Sequence, residues 1–267
     1  MKFKFDLNFL VHLRFIPYIY LETTQKGASM AFQTIFKRYE LKYLITQEQK
    51  GKILKAIEPH MVLDKYGRTT IRNLYFDTND YRLIRRSIEK PEYKEKLRVR
   101  SYSQADSNST VFIELKKKYK HVVYKRRLAL TENDAMCWLC SKDKKPQTQI
   151  SKEIDYFLDY YKTLHPTVFL AYDREAYYTK EKSDFRLTFD DNILFRTEDL
   201  SLKSEAYGAP ILEDDLVLME IKCSGGIPLW MTKILSENHI YKTSFSKYGT
   251  VYQKHIHPKI TEGNFND

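Results

Sequence analysis

The chain has 267 residues, of which 42% are hydrophobic and 30% are charged, and its formal net charge is +10 at pH 7. This composition excludes a disordered chain and supplies enough apolar residues for one large domain or two small ones. The positive charge favours anionic partners: nucleic acid, a membrane surface or phosphate-rich small molecules.

Residues 1–30 differ from the rest of the chain. Their apolar stretch MKFKFDLNFLVHLRFIPYIYL is interrupted by His12, Arg14 and Pro17. These interruptions argue against a membrane span, and no small-residue cleavage site indicates a signal peptide. We therefore predict a poorly ordered leader, or an N-terminus assigned upstream of a start at Met30.

From residue 35 onward, the pattern predicts short strands separated by helices, with a single domain over 31–260 and a tail over 261–267. Thr46 and Gln49 have the spacing of a capping box, which predicts a helix after the first strand. The predicted strands are FKRYELKYLI, TIRNLYFD, YKEKLRVRSY, STVFIELKKKY, VVYKRRLAL, TVFLAYDREAYY, DFRLTFDDNILF and LVLMEIKCS. The other predicted helices begin near Asn79, cover TENDAMCWLC, SKEIDYFLDYYKTL and 228–240, and begin again near Ser246.

Cysteine is rare, and its placement favours packing over chemistry. Cys137 and Cys140 lie in the helix-like stretch TENDAMCWLC, and the third cysteine is Cys223. A structural metal site needs about four ligands, and the chain has no second cysteine pair. We expect these thiols to pack in the core and the protein to occupy a reducing compartment.

Charged residues occupy alternate positions in most of the predicted strands. In YKEKLRVRSY, for example, Lys96, Arg98 and Arg100 share one face, and Leu97 and Val99 share the other. In one strand this is an ordinary solvated face. In many strands, whose apolar faces would be covered by helices, it indicates charged faces that converge on an interior. We predict an α+β fold: a closed antiparallel β-barrel with helices packed on its outside. A sheet with one solvent-facing side is the alternative.

A barrel lined with lysine and arginine repels itself unless it holds water, counterions or a polyanion. Phosphate chains fit best, because arginine offers a planar fork and lysine a point charge to the non-bridging oxygens. The carboxylates Glu40, Glu114 and Glu220 lie among these cations. They suit a divalent metal, although Glu40 and Glu114 could equally be internal ion-pair partners. Asp190 is expected to cap a turn in the sequence FDDN.

Nine short motifs lie between residues 33 and 257. In chain order they are FKRYELKY, IRNLYFDTND, LRVR, FIELKKK, VYKRR, YDREAYY, RLTFDDNI, LMEIK and SFSKY. In their order and spacing, the sequence resembles the triphosphate tunnel metalloenzyme (CYTH-like) superfamily. Within it, the sequence resembles the VTC-type (vacuolar transporter chaperone) polyphosphate polymerase domain.

This resemblance implies a role for each matching position. It implies that Glu220 binds Mn²⁺ or Mg²⁺. The implied catalytic cations are Arg98, Arg100, Lys116, Lys125, Arg174 and Arg186. The implied further contacts to phosphate or substrate are Lys42, Arg127, Tyr172, Ser246 and Lys247.

Two positions depart from the pattern. Arg38 replaces the first glutamate of the superfamily's Glu-x-Glu-x-Lys motif. This puts a two-metal hydrolase in doubt and favours the polymerase branch. The family's extra lysine before the Ser-Lys pair is not aligned, because Lys242 is displaced from its place.

The resemblance implies metal-assisted transfer of a γ-phosphoryl group from a nucleoside triphosphate, ATP, to phosphate, pyrophosphate or a growing polyphosphate chain. A tunnel-type triphosphatase or polyphosphate hydrolase stays open, as does a non-catalytic polyphosphate-binding module. Nucleic acid is disfavoured, because the aromatic residues lie mostly on faces opposite the cations. We expect a cytoplasmic protein, and association with a membrane-protein partner stays open.

Overall fold

The computed structural model describes residues 39–120, 122–143, 145–181 and 183–263. The predicted leader over 1–30 and residue Arg38 lie outside this part of the chain, as do the last four residues of the predicted tail. The first three residues of that predicted tail belong to the final helix.

All strands of the described part belong to one antiparallel sheet, and each predicted strand is present. Two short strands, β2 and β9, were not predicted. The ten strands are β1 (Tyr39–Thr46), β2 (Met61–Leu63), β3 (Thr69–Asp77), β4 (Tyr93–Ser101), β5 (Thr110–Tyr119), β6 (Val122–Thr131), β7 (His165–Thr179), β8 (Arg186–Arg196), β9 (Ala209–Pro210) and β10 (Leu216–Cys223).

The helices also follow the prediction. Thr46 and Gln49 form the expected capping box at the start of α1. No helix in the described residues is long and apolar enough to cross a membrane. The helices are α1 (Gln47–Ile57), α2 (Arg82–Ile88), α3 (Glu132–Ser141), α4 (Gln149–Tyr161), α5 (Leu229–Glu237), α6 (Lys247–Val251) and α7 (His257–Gly263), with a π-helical turn at Tyr252–Ile256 between the last two.

The sheet is not closed into a barrel, which corrects part of the predicted fold. Its strand order is β1-β10-β8-β7-β3-β4-β5-β6, and no backbone pairing joins β1 to β6 within the described residues. Alternation along a strand determines which face is apolar. It does not determine whether the sheet edges meet, because closure depends on strand tilt and stagger.

The open sheet is nevertheless strongly curved, with its charged face on the concave side. Glu40 of β1 and Lys116 of β5 form an ion pair at 3.3 Å, although six steps of the strand order separate their strands. In a flat sheet this separation would be roughly 29 Å, since neighbouring strands lie about 4.8 Å apart. The ion pair therefore requires a sheet that is rolled around its charged face.

Helices cover the convex face through two apolar clusters. In the first cluster, Trp138 of α3 and Phe157 of α4 pack with Leu97 of β4. In the second, Ile53 of α1 belongs to a cluster that includes Met219 of β10 and residues of α5. These clusters leave the charged side chains on the concave side of the sheet.

The C-terminal segment fills part of the concave face, which the sequence pattern did not predict. Tyr248 and Val251 of α6 lie in a third apolar cluster with Val168, Leu170 and Leu218 from the sheet. The concave face therefore has an apolar part, covered by this segment, and a charged part beside it.

Asp77 connects the sheet to this C-terminal segment. Its buried carboxylate accepts hydrogen bonds from the backbone amides of Leu83 and Ile84 in α2, at 2.8 and 3.0 Å. It also accepts one from the hydroxyl of Tyr248, at 2.9 Å. Burial raises the pKa of Asp77, and these hydrogen bonds oppose that shift.

We expect Asp77→Ala to lower the free energy of unfolding by about 2 kcal/mol or more, because it leaves buried donors without an acceptor. Chemical denaturation of the two proteins measures this difference. Asp80→Ala is the matched control. Asp80 is well exposed, and its removal should cost less than about 0.5 kcal/mol. Equal losses in the two variants would contradict the role of Asp77.

Candidate functional site

Glu114 lies at the centre of the first group of charges on the concave face. Its side chain is only 2% exposed, and it contacts cations from the two strands beside β5, which are β4 and β6. Arg98 lies 2.8 Å from its carboxylate, Lys125 2.5 Å, Arg127 3.4 Å and Arg100 3.9 Å. We call these five residues the Glu114 cluster.

Electrostatics keep Glu114 ionised. Burial alone would raise its pKa, but Arg98, Arg100 and Lys125 outweigh burial and lower the pKa to about 2. Burial opposes the charge of Arg98, but Tyr75 and Glu114 outweigh burial and raise the pKa of Arg98 above its ordinary value. The cluster contains one carboxylate and four cationic side chains.

Uncharged side chains from β3 and β7 hold the two arginines of β4 in place. Arg98 donates to the hydroxyl of Tyr75 at 2.9 Å. Arg100 donates to the amide oxygen of Asn73 at 2.9 Å and to the hydroxyl of Tyr172 at 3.0 Å. These partners fix the direction of both guanidinium groups before any ligand binds.

A second group of charges surrounds Asp190 of β8, which is completely buried. Arg174 of β7 binds both oxygens of Asp190 through Nε and Nη2, at 2.5 and 2.6 Å. Lys247, at the start of α6, also donates to this carboxylate. The expectation that Asp190 caps a turn was wrong. Strand alternation places it on the concave face, opposite Arg174 in the β7–β8 register.

Glu220 of β10 extends this second group. Its carboxylate lies 3.3 Å from Lys42, 3.5 Å from Lys222 and 3.9 Å from both Arg174 and Lys247. Burial would raise its pKa, but these cations lower the pKa well below its ordinary value. Together with Asp190, these residues form what we call the Asp190–Glu220 cluster.

Tyr172 lies between the two clusters. It is 3% exposed, accepts the hydrogen bond from Arg100 and faces Lys247, whose Nζ lies 4.3 Å from the centre of its ring. Burial opposes ionisation of the phenol. Arg100, Arg174 and Lys247 outweigh burial and lower the pKa of Tyr172 to about 8.

Residues at the edge of the charged area make fewer contacts. The hydroxyl of Ser246 caps α6 by accepting from the amide of Gly249 at 3.2 Å. It also accepts a hydrogen bond from Lys96 at 3.1 Å. Lys116 is 45% exposed and pairs with Glu40. Arg186 is exposed and lies opposite Lys222 in the β8–β10 register.

The VTC domain family model matches residues 37–256 of the chain. The chain belongs to the VTC domain family. This confirms the resemblance on which the site residues were assigned. No curated protein matches this VTC domain.

Several solved structures are similar to this VTC domain. An adenylate cyclase candidate from Bacillus halodurans is 16% identical, with a TM-score of 0.49, and the match covers 78% of this chain and 92% of that one. An adenylyl cyclase candidate from Hippeastrum with a dominant triphosphatase activity is 14% identical, with a TM-score of 0.46, and the match covers 80% and 94%. A protein from Pyrococcus horikoshii is 16% identical, with a TM-score of 0.43, and the match covers 82% and 99%.

The structure brings nearly all the predicted site residues of the VTC domain together. The Glu114 cluster contains Arg98, Arg100, Lys125 and Arg127. The Asp190–Glu220 cluster contains Lys42, Arg174, Glu220 and Lys247. Tyr172 lies between the clusters, and Lys116, Ser246 and Arg186 lie at the edge. Of these, Arg186 alone makes no side-chain ion pair or hydrogen bond to the described residues. Their roles toward a substrate stay a prediction.

Sequence analysis missed several residues that touch the site. Asn73 and Tyr75 orient the two arginines, and Asp190 neutralises Arg174. Alternation along TIRNLYFD and RLTFDDNI could have placed all three on the charged face, if the polar and aromatic residues had been counted with the cations.

The site fits a divalent metal that arrives with phosphate, and it does not supply a metal cage of its own. Within the described residues, no three carboxylate, histidine or cysteine side chains are grouped as metal ligands. Glu220 offers one carboxylate among several cations. One or two carboxylates plus substrate phosphates are the usual environment of Mg²⁺ at such sites.

We expect Glu114→Gln to reduce the free energy of unfolding at pH 7 by about 3 kcal/mol, because the folded state lowers the pKa from 4.5 to about 2. A carboxyl group whose pKa is lowered in the folded state stabilises the protein at pH values above its pKa in the unfolded chain. This stabilisation is lost as the pH falls towards the pKa of the folded state. The difference between the wild type and the variant should therefore shrink between pH 4.5 and pH 2. Denaturation curves across this range measure it.

Glu237→Gln is the control for this prediction, since Glu237 is 60% exposed on α5. Its unfolding should follow the wild type at every pH. A difference for Glu114→Gln that stays constant down to pH 2 would contradict the proposed ionisation of Glu114.

We expect one tyrosine to ionise near pH 8 in a titration followed by the ultraviolet absorbance of tyrosinate, ahead of tyrosines with the ordinary value of 10. Tyr172→Phe should remove this early step. Tyr207→Phe is the control and should leave the step near pH 8 intact, because the hydrogen bond from Tyr207 to Asp199 raises the pKa of Tyr207. Persistence of the step in Tyr172→Phe would refute the assignment.

Proposed function

We propose that this VTC domain is a polyphosphate polymerase, which transfers the γ-phosphoryl group of a nucleoside triphosphate, ATP, to phosphate, pyrophosphate or the end of a polyphosphate chain. The observation that carries the proposal is the pair of clusters on one concave face, in which cations exceed carboxylates and the arginines are already oriented. Such a surface binds a chain of phosphates better than a single anion.

Binding follows from the geometry of the two clusters. Arg98, Arg100 and Arg174 present planar forks that match the non-bridging oxygens of a triphosphate. Lys116 and Lys125 are both nearly half exposed, so their ammonium groups can move onto phosphate oxygens. The carboxylates beneath these cations keep the cations paired in the free protein.

The transfer itself needs alignment and neutralisation of charge. An oxygen of the acceptor phosphate forms a bond to the γ-phosphorus, and the bond from that phosphorus to the β–γ bridging oxygen breaks. The nucleoside diphosphate leaves with the electron pair. In the loose transition state of such reactions, charge spreads over the three outer oxygens of the γ-phosphoryl group, where Arg and Lys donors stabilise it.

Glu220, with Asp190 behind it, would hold a Mn²⁺ or Mg²⁺ ion together with the phosphates. When bound, the ion would supply further neutralisation of the leaving group's charge. Lys42 and Lys247 now contact the Glu220 carboxylate, so they would have to yield part of it to the ion.

Acid–base chemistry favours transfer to phosphate over hydrolysis. Glu114, Asp190 and Glu220 have lowered pKa values, the first about 2, because cations surround them. Such carboxylates are weak bases and deprotonate water poorly. A phosphate acceptor is already an anion and needs no base. Hydrolysis and binding without turnover are the outcomes that would replace the proposal.

The test is a polyphosphate gel with a phosphate-release assay on the purified protein, with ATP and Mn²⁺. We expect a metal-dependent ladder from the wild type. Lys116→Ala and Glu220→Gln should reduce its rate of formation by about 100-fold, the usual cost of removing a group that stabilises the transition state. Lys233→Ala is the control and should act as the wild type does, because the side chain of Lys233 is 74% exposed on α5.

Other products would change the assignment. Free phosphate without a ladder, lost in both variants, would identify a hydrolase. Polyphosphate that binds to the wild type without any turnover would identify a binding module and refute catalysis. A ladder that persists in Lys116→Ala and Glu220→Gln would show that these residues are not part of the machinery.

A further inference from the structure

Four lysines form a compact group on the concave face, where β4 begins and β5 ends. In the antiparallel register, Lys94 lies directly opposite Lys118, and Lys96 lies opposite Lys116. All four occupy alternate positions of their strands, so they share one face. We call them the lysine square. Of the four, Lys116 alone belongs to the predicted site.

The fold leaves most of the positive charge of the lysine square uncompensated. Within the described residues, the carboxylate of Glu40 pairs with Lys116 and no carboxylate pairs with the other three. Lys94 donates to a backbone carbonyl at 3.1 Å, and Lys96 donates to the neutral hydroxyl of Ser246. Like charges directly opposite each other in a sheet are destabilising. The lysine square therefore differs from the Glu114 cluster, where a buried carboxylate neutralises the cations.

Burial and this repulsion both disfavour the charged form of the lysines in the square. Burial and the neighbouring lysines lower the pKa of Lys96 to about 7 and also lower the pKa of Lys94. A bound anion would reverse both shifts. The charged or titratable groups around Lys96 are Lys94 and Arg98 on β4, Glu114, Lys116 and Lys118 on β5, Glu40 and Lys42 on β1, Tyr75 and Asp77 on β3, and Lys247 and Tyr248 on α6.

We propose that the lysine square is a separate subsite, which holds a polyphosphate chain beyond the positions that hold the reacting triphosphate. The proposal rests on the proposed function for the identity of the chain. Its four ammonium groups come from positions about 7 Å apart along each strand and about 5 Å apart between strands, so they reach several phosphates at once.

The residue types favour a moving chain over a fixed nucleotide. Lysine is a mobile point charge that accepts many phosphate positions, whereas the arginine forks of the Glu114 cluster favour one. Tyr75 and Tyr248, the aromatic residues near Lys96, are buried in the third apolar cluster, so they offer no exposed ring on which a base could stack. This disfavours nucleic acid or the base of a nucleotide.

The test compares two probes, long-chain polyphosphate and tripolyphosphate, binding to the wild type and to the double variant Lys94→Ala/Lys118→Ala. Neither residue belongs to the proposed catalytic machinery. We expect the Kd for the long chain to rise at least 10-fold, and the Kd for tripolyphosphate to change less than twofold. The salt dependence of long-chain binding should weaken, with the slope of log Kd against log salt falling by about one for each lysine removed.

Two controls make this comparison specific. Lys52→Ala/Lys233→Ala removes the same charge from exposed positions on α1 and α5 and should change neither Kd. The Tm of Lys94→Ala/Lys118→Ala should equal or exceed that of the wild type, because a repulsive cross-strand pair is removed. This shows that any lost affinity does not come from unfolding.

A second readout follows from protonation. The interior phosphates of a long chain stay ionised between pH 6 and 8, so a change of affinity in this range reports on the protein. Binding requires protonated Lys96, and the affinity of the wild type for the long chain should therefore fall as pH rises above about 7. Lys96→Arg keeps its charge and should lose the fall near pH 7. A fall that remains near pH 8 should disappear when Tyr172→Phe is added, because Tyr172 ionises there.

Equal losses for both probes in the lysine double variant, or no loss for either, would overturn the separate subsite. So would a wild type that binds neither probe. A protein that makes no polyphosphate ladder but shows the selective loss would contradict the proposed function and leave the subsite standing. If the wild type makes a ladder but the double variant keeps its affinity for the long chain, the proposed function would stand and the subsite would be refuted.

Discussion

The burial of an excess of positive charge on one concave face is the constraint on which this structure depends. Glu114, Asp190 and Glu220 make that burial tolerable, because an unpaired cation out of water costs several kcal/mol. Glu114 pairs with cations of β4 and β6, and Glu220 with cations of β1, β7 and β10. Asp190 pairs with Arg174 of β7 and Lys247 of α6. These carboxylates hold the cations in position for the proposed phosphate ligand, and the ion pair between Glu40 and Lys116 links the two sides of the open sheet.

Rigidity varies across this face in a way that suits its proposed chemistry. At the centre, the guanidinium groups of Arg98 and Arg100 are oriented by Tyr75, Asn73 and Tyr172. Alignment of reacting groups needs this precision. Where β4 begins and β5 ends, the cations are lysines instead of arginines, and the partners of Lys94 and Lys96 are neutral groups instead of carboxylates. A chain that has to move past the protein benefits from such weaker, exchangeable contacts.

Alternation of residue types predicted the strands and the charged face, and helical spacing predicted the helices. In both cases the period of the apolar residues indicates the secondary structure and also the side that is buried. The capping box at Thr46 was equally local and was confirmed. The closure of the sheet was predicted wrongly, since it depends on contacts between strands far apart in the chain. The turn assigned to Asp190 failed for a related reason: its partners Arg174 and Lys247 come from β7 and α6, and no local pattern reveals them.

The C-terminal segment makes the two sides of the concave face different, because it covers one side with apolar side chains. Tyr248 packs on Tyr75, with ring centres 5.0 Å apart, and Val251 is buried in the same apolar cluster. A polyanion cannot be solvated in that apolar part, because its phosphates would lose water without gaining donors. From the Glu114 cluster, the cationic positions that remain lead along β4 and β5 to Lys94 and Lys118. If the domain elongates polyphosphate as we propose, the packing of this one short segment leaves the lysine side as the favourable path for the growing chain.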